Sequence, residues 1–174
     1  MFDPADVAEA EKLLARLRSK RWIMCTAESC TGGLIAGLLT EIPGSSDVVD
    51  RGFVTYSNGA KCDLLGVPAT LIGRFGAVSA ETAVAMASGA LRNSTCDLSV
   101  AVTGVAGPGG GSSDKPVGLV HLAAQLRGQS PVTLVLRLGD IGRTPVRLHT
   151  VRAALNLCNQ ALDNDPGSST VGVP

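Results

Sequence analysis

Aromatic residues are scarce: Phe2, Trp22, Phe53, Tyr56 and Phe75 are the whole supply, 3% of 174 residues. A stacking platform for single-stranded nucleic acid is hard to assemble from so few rings, and the core must be built from aliphatic and small side chains. An excess of either charge is also missing. Fifteen Lys and Arg balance 15 Asp and Glu, and no basic cluster exceeds Arg18, Lys20 and Arg21, so the footprint of a phosphate-backbone binder is absent. There is no run of about 18 apolar residues that could span a bilayer. Asp3, Asp6, Glu9 and Glu11 near the start contradict the basic-then-apolar plan of a secretory signal, and a cytoplasmic protein is expected. The five cysteines, at 25, 30, 62, 96 and 158, contain no CxxC pair, which signals neither a disulfide framework nor a zinc knuckle. Reduced and mostly buried thiols are the plain expectation. No H-E-x-x-H or close His/Asp cluster occurs, so no metal is implied.

What is present is a chain with 45% hydrophobic residues, of a size that closes one core. Val7, Ala10, Leu13, Leu14 and Leu17 recur at helical spacing, predicting an amphipathic helix over 4–19. The short apolar run from Trp22 to Ala27 reads as a strand that ends in a turn at Ser29, Thr31, Gly32 and Gly33. A helix follows from Thr31, stopping at Pro43-Gly44. A second strand spans 51–56 and breaks at Asn58-Gly59, after which 60–65 and 69–75 form short helices. Ser79 caps a helix running to about Arg92. A third strand covers 97–103, and a glycine-rich loop covers 104–116. Strands over 117–126 and 132–138 make a hairpin, and a last helix spans 144–162 with Arg147 and Arg152 turned outward. The sum is a single α/β domain, 1–162, with three α/β/α layers around a mixed, mostly parallel sheet. Residues 163–174 read as a disordered tail.

Ser29 is the sharpest candidate for chemistry. A serine between a strand and a helix stands where the helix's unpaired N–H groups point, and those of Cys30, Thr31, Gly32 or Gly33 could face a developing oxyanion. The plainer role for Ser29 or Thr31 is an N-cap. A serine nucleophile needs a base. Neither His121, in a predicted strand, nor His149, in the last helix, is well placed, and each is read as packed or solvated. Lys61, behind the second strand, lies at the same sheet edge as Ser29 and would serve if burial kept its amine neutral, although lysine is ordinarily exposed. Cys30 is a competing nucleophile, because a helix start lowers a thiol's pKa, but an inert thiol is the leading reading. The loop from Gly104 to Ser113 matches no common nucleotide motif, so it reads equally as connector or as an anion cradle.

Thr26-Ala27-Glu28-Ser29-Cys30-Thr31-Gly32-Gly33, Gly52-Phe53-Val54-Thr55-Tyr56-Ser57-Asn58, Lys61, Ala77-Val78-Ser79 and Thr103-Gly104-Val105-Ala106-Gly107-Pro108-Gly109-Gly110 occur in this order. Together they resemble the C-terminal domain of the competence/damage-inducible CinA family, the nicotinamide-nucleotide amidase (NMN deamidase) group. The resemblance runs from about residue 6 to residue 162. It implies hydrolysis of the carboxamide of nicotinamide mononucleotide to nicotinic acid mononucleotide and ammonia, in pyridine nucleotide salvage, without metal or organic cofactor. It implies Ser29 as nucleophile, Lys61 as general base and Tyr56 as an auxiliary group. Cys30, Thr31, Gly32, Gly33, Thr103, Gly104 and Gly107 would border the substrate.

Family members usually show Gly-Asp-Arg after the last strand, whereas this chain reads Gly139-Asp140-Ile141-Gly142-Arg143. Arg143 is the expected phosphate ligand, and Arg137 is the fallback. Many family proteins also carry a larger N-terminal domain, so the resemblance implies a stand-alone form. A homo-oligomer is expected, with neither nucleic acid nor membrane as partner. A non-catalytic nucleotide-binding module and a cysteine amidase using Cys30 are the alternatives.

Overall fold

The structure, a computed structural model, describes residues 2–166. Helix α1 (Pro4–Lys20) leads into β1 (Met24–Glu28), α2 (Leu34–Thr40) and β2 (Val49–Val54). Three helices follow, α3 (Asn58–Leu65), α4 (Ala69–Phe75) and α5 (Ala80–Arg92). The chain ends with β3 (Leu98–Gly104), β4 (Leu119–Leu126), β5 (Val132–Arg137) and α6 (Arg143–Asp163). The strands form one sheet in the order β2-β1-β3-β4-β5. β1 runs parallel to β2 and β3, while β4 is antiparallel to both β3 and β5. This is the expected mixed α/β sheet, with β1 and β3 as its parallel centre.

Alternation along the strands divides the core in two. Met24, Val100, Val102 and Leu122 face Leu13, Leu14 and Leu17 of α1, Leu38 of α2 and Leu155 of α6. Fully burying each such leucine is worth about 1.5–3 kcal/mol. On the other face, Cys25, Ala27, Ala101 and Ala123 meet Ala83, Met86, Ala87 and Ala90 of α5. Small residues on both sides of this second layer answer the shortage of aromatics. They bring α5 so near α3 that a Cβ on Gly89 would stand 2.1 Å from the Leu65 carbonyl oxygen.

Local signals fix most boundaries. Asp3 accepts from Ala5 N at 2.8 Å ahead of Pro4, and Ser79 accepts from Thr82 N at 3.1 Å, each an N-cap. Where boundaries differ from expectation, a specific bond is responsible. Trp22 N closes the C-terminus of α1 on Leu17 O and the Asp97 carboxylate takes Ile23 N, so β1 begins at Met24. Asn58-Gly59 is no turn: Ser57 accepts from Ala60 N at 3.0 Å and starts α3 one residue later. The last helix begins at Arg143, and Asp163 closes it. Asp165 is buried and paired with Lys20 at 3.0 Å, so packing continues past the expected start of the tail. Its remainder, 167–174, lies outside the described residues. Cys25, Cys30, Cys96 and Cys158 are buried free thiols, as expected, and Cys62 is half-buried. Among the described residues no helix is long and apolar enough to cross a membrane.

Candidate active site

β1 and β2 are parallel neighbours, so the segments leaving them emerge at one edge of the sheet. Ser29 directly follows β1, and its N–H is clipped to Val102 O of β3 at 3.1 Å. The chain then turns tightly: Gly32 N donates to Ser29 O at 3.1 Å, and Gly33 sits at φ +95°, where an L side chain would be strained. Beyond β2, Thr55 N donates to Glu28 O at 2.7 Å. The Ser57 cap then launches α3 and places Lys61 on its first turn, facing back toward β1.

Lys61 is 1% exposed, the largest fully buried side chain in the protein's described residues. Its Nζ donates to Ser29 Oγ at 3.0 Å and to Thr55 O at 2.8 Å. No acidic side chain pairs with it among the described residues. Desolvation therefore dominates and lowers its pKa from the ordinary 10.5, with the neighbouring Cys30 and Cys62 opposing. A buried amine whose charged form is disfavoured, within hydrogen-bond reach of a hydroxyl, is an arrangement that can supply a base to a nucleophile.

These two groups form the floor of a cavity of about 280 Å³. One wall is Ala77, Val78 and Thr103, tied together where Thr103 Oγ1 donates to Ala77 O at 2.7 Å. The loop from Gly104 to Gly110 lines it as well, and Asn58, Tyr56 and Arg143 complete the rim. Arg143 Nη2 donates to Tyr56 OH at 2.8 Å and Nη1 to Gly107 O at 3.0 Å. Both acceptors are neutral, and no acidic residue lines the cavity among the described residues. The guanidinium charge is thus available to an anion at the rim.

Of the residues anticipated from sequence, Ser29, Lys61, Tyr56, Cys30, Thr103, Gly104, Gly107 and Arg143 line this cavity, whereas Thr31, Gly32 and Gly33 do not. The expected oxyanion donors narrow accordingly. Gly32 N is held by Ser29 O, and Gly33 N donates to the Glu28 carboxylate at 3.0 Å; of the four residues, Cys30 is the one that lines the cavity. As a thiol, Cys30 follows the inert reading and not the competing one of an activated nucleophile. Burial, reinforced by Glu28, pushes its pKa up to about 11 rather than down, which keeps the sulfur protonated and unreactive. Arg147 does not point outward but donates to Thr31 O at 2.6 Å. Arg152 pairs with Asp6. His121 in β4, His149 in α6 and Arg137 in β5 all lie off the cavity. Sequence reasoning assigned no role to Asn58, Ala77, Val78 or Glu28. Asn58 reads as part of a turn by composition, and a buried carboxylate carries no signal in a strand's alternation.

A family model described as the CinA C-terminal domain matches residues 7–162. The CinA-like protein of Geotalea daltonii is 56% identical over 136 residues, which are 78% of this chain and 32% of that protein. The CinA-like protein of Synechococcus sp. (strain RCC307) is 51% identical over 158 residues, 90% of this chain and 37% of that protein. The chain thus spans about a third of the length of the curated relatives it matches. Among solved structures, the competence/damage inducible protein CihA from Agrobacterium tumefaciens superposes with a TM-score of 0.91 at 53% identity, covering 93% of this chain and 98% of that one. A CinA superfamily protein from Escherichia coli gives 0.85 at 33% identity, covering 92% and 93%.

Proposed function

Because this chain belongs to the CinA C-terminal domain family, we propose that it is an amidohydrolase. In this reading it converts nicotinamide mononucleotide and water to nicotinic acid mononucleotide and ammonia, in pyridine nucleotide salvage, through a Ser29 acyl-enzyme. The observation that carries the reading is the fully buried Lys61 amine, 3.0 Å from Ser29 Oγ and without an acidic partner among the described residues.

With Lys61 neutral, the hydrogen bond reverses: the Ser29 hydroxyl donates to the amine's lone pair while Thr55 O keeps one amine N–H in place. Oγ attacks the amide carbon as its proton passes to Lys61. Cys30 N–H faces the oxygen that gains charge, and one such donor is worth about 3 kcal/mol of barrier. Ammonia departs with the proton returned by Lys61, leaving an ester on Ser29. Water then attacks that ester with Lys61 again as base, and the freed carboxylate leaves. Tyr56 holds Arg143 at the rim, where the guanidinium receives the substrate phosphate. No metal or organic cofactor takes part.

The test is ammonia release from nicotinamide mononucleotide by the purified chain, beside Ser29→Ala and with nicotinamide riboside for comparison. Release that is lost in Ser29→Ala and weak on the riboside supports a phosphate-reading serine amidase. Ligand-dependent stabilisation without release would instead make the protein a nucleotide-binding module.

A further inference from the structure

Glu28 is a fully buried carboxylate one residue before the nucleophile, and the mechanism above gives it no part. It ends the interior strand β1, between Val54 of β2 and Val102 of β3. Its Oε2 accepts from Gly33 N at 3.0 Å and Ile35 N at 3.1 Å, and its Oε1 from Ala36 N at 2.9 Å and Thr26 Oγ1 at 3.2 Å. A buried polar group is costly unless its hydrogen bonds are made. Here no cation lies within ion-pair distance among the described residues, and three backbone amides with one hydroxyl satisfy it instead. The first turn of α2 is thereby tied to the last residue of β1, and Ser29 to Gly32 is the short span between the tied ends. The same residue's main chain reaches the base: Glu28 O accepts from Thr55 N at 2.7 Å, and Thr55 O accepts from Lys61 Nζ.

We propose that Glu28 is the positioning residue of this site: its carboxylate clamps the amides of Gly33, Ile35 and Ala36 and so fixes the turn that presents Ser29 to Lys61. The proposal rests on the reading of Ser29 as nucleophile. It also explains why the start of α2 does not serve as the oxyanion site, since its amides are already bound to the Glu28 side chain. Glutamine in this place keeps the bonds from Gly33 and Ile35 and can donate to Thr26 Oγ1, but it turns an N–H toward the Ala36 N–H. Alanine loses every bond. The expected order of function is therefore wild type, then Glu28→Gln, then Glu28→Ala.

The experiment follows phosphonylation of Ser29 by a fluorophosphonate probe, in which Oγ bonds to phosphorus and fluoride leaves, together with amide hydrogen exchange. Misplacing a reacting group by about 1 Å can cost roughly 100-fold. We expect about that loss of labelling rate in Glu28→Ala and a partial recovery in Glu28→Gln. The pH midpoint of labelling stays at its wild-type value, and exchange quickens at Ala36 in Glu28→Gln. Wild-type labelling rates in both variants would overturn the proposal, and so would a moved midpoint, which would make Glu28 an electrostatic partner of Lys61. If Glu28→Ala does not fold, the rate, midpoint and Ala36 exchange of Glu28→Gln decide alone. A wild-type protein that never labels refutes the nucleophile reading, while exchange at Ala36 still decides the clamp.

Discussion

Lys61 Nζ lies 3.0 Å from Ser29 Oγ although 32 residues separate them. The parallel pairing of β1 and β2 brings them together, because both strands release their chains at the same sheet edge, the usual place for ligands in such sheets. Burial then decides the chemistry. An ammonium at this depth loses its hydration, so the amine form gains relative to the form that bears charge.

Activity should follow that protonation. kcat/KM for nicotinamide mononucleotide is expected to rise with pH as Lys61 loses its proton, with a midpoint below the ordinary lysine value of 10.5. Lys61→Ala should lower kcat/KM by about 10²–10⁴, the usual worth of a general base, and flatten the rise. A pH–rate series on both proteins checks this, and a fully active Lys61→Ala would exclude the lysine as base.

Stability should carry the same signature with a defined sign. Between the lowered folded pKa of Lys61 and 10.5, the unfolded chain holds a proton that the folded chain does not, so this group makes stability rise with pH through that window. Below the window it costs stability, and above 10.5 the cost is gone. Lys61→Met fills similar space without titrating. The difference in melting temperature, variant minus wild type, should therefore be largest below that window and shrink toward pH 10.5. A difference independent of pH would mean that Lys61 titrates alike in both states.

The sequence carried some of this plainly and some not at all. α1 and α5 were legible because their apolar periods come with caps at Asp3 and Ser79, and Ser29 was legible as a strand-to-helix junction. The burial of Lys61 was not, since it depends on where Thr55 falls after β2 pairs with β1. Asn58-Gly59 reads as a turn by composition, yet the Ser57 cap draws both residues into α3. The helix start after Ser29 suggested free donors, but Glu28 occupies Gly33, Ile35 and Ala36. Strand order, too, rests on contacts between distant segments, which local pattern does not encode.

Arg143 should set affinity for the phosphate rather than the chemical step. Its guanidinium is held by Tyr56 OH and Gly107 O, neither of which neutralises it. A hydrogen bond to a charged group is worth about 1.5–3 kcal/mol, so Arg143→Ala should raise KM for the mononucleotide about 10- to 100-fold with kcat little changed. The riboside, which lacks the phosphate, should lose far less. Tyr56→Phe removes one bond to the guanidinium, but Tyr56 is exposed and water can take the place of its hydroxyl, so KM should shift less than in Arg143→Ala. An unmoved KM in Arg143→Ala would place the phosphate elsewhere.

Gly89 offers a test of how the helical layer holds Lys61 in place. In the interior of α5, alanine is ordinarily better than glycine by about 1 kcal/mol, so propensity alone predicts that Gly89→Ala stabilises. The structure predicts the reverse. The new Cβ would stand 2.1 Å from Leu65 O and 2.9 Å from Leu65 Cβ, and Leu65 is the buried last residue of α3, whose carbonyl also accepts from Arg92 at 3.3 Å. A backbone oxygen cannot swing aside as a side chain can, so α3 must move as a unit, at an overpacking cost of about 1–3 kcal/mol. For a chain of this size each kcal/mol corresponds to about 2–4 °C in melting temperature. Because α3 also carries Lys61, its displacement should lengthen the contact with Ser29, and Gly89→Ala should lose activity at temperatures well below its own melting point. A melting temperature equal to or above wild type, with full activity, would show that the two helices part without cost.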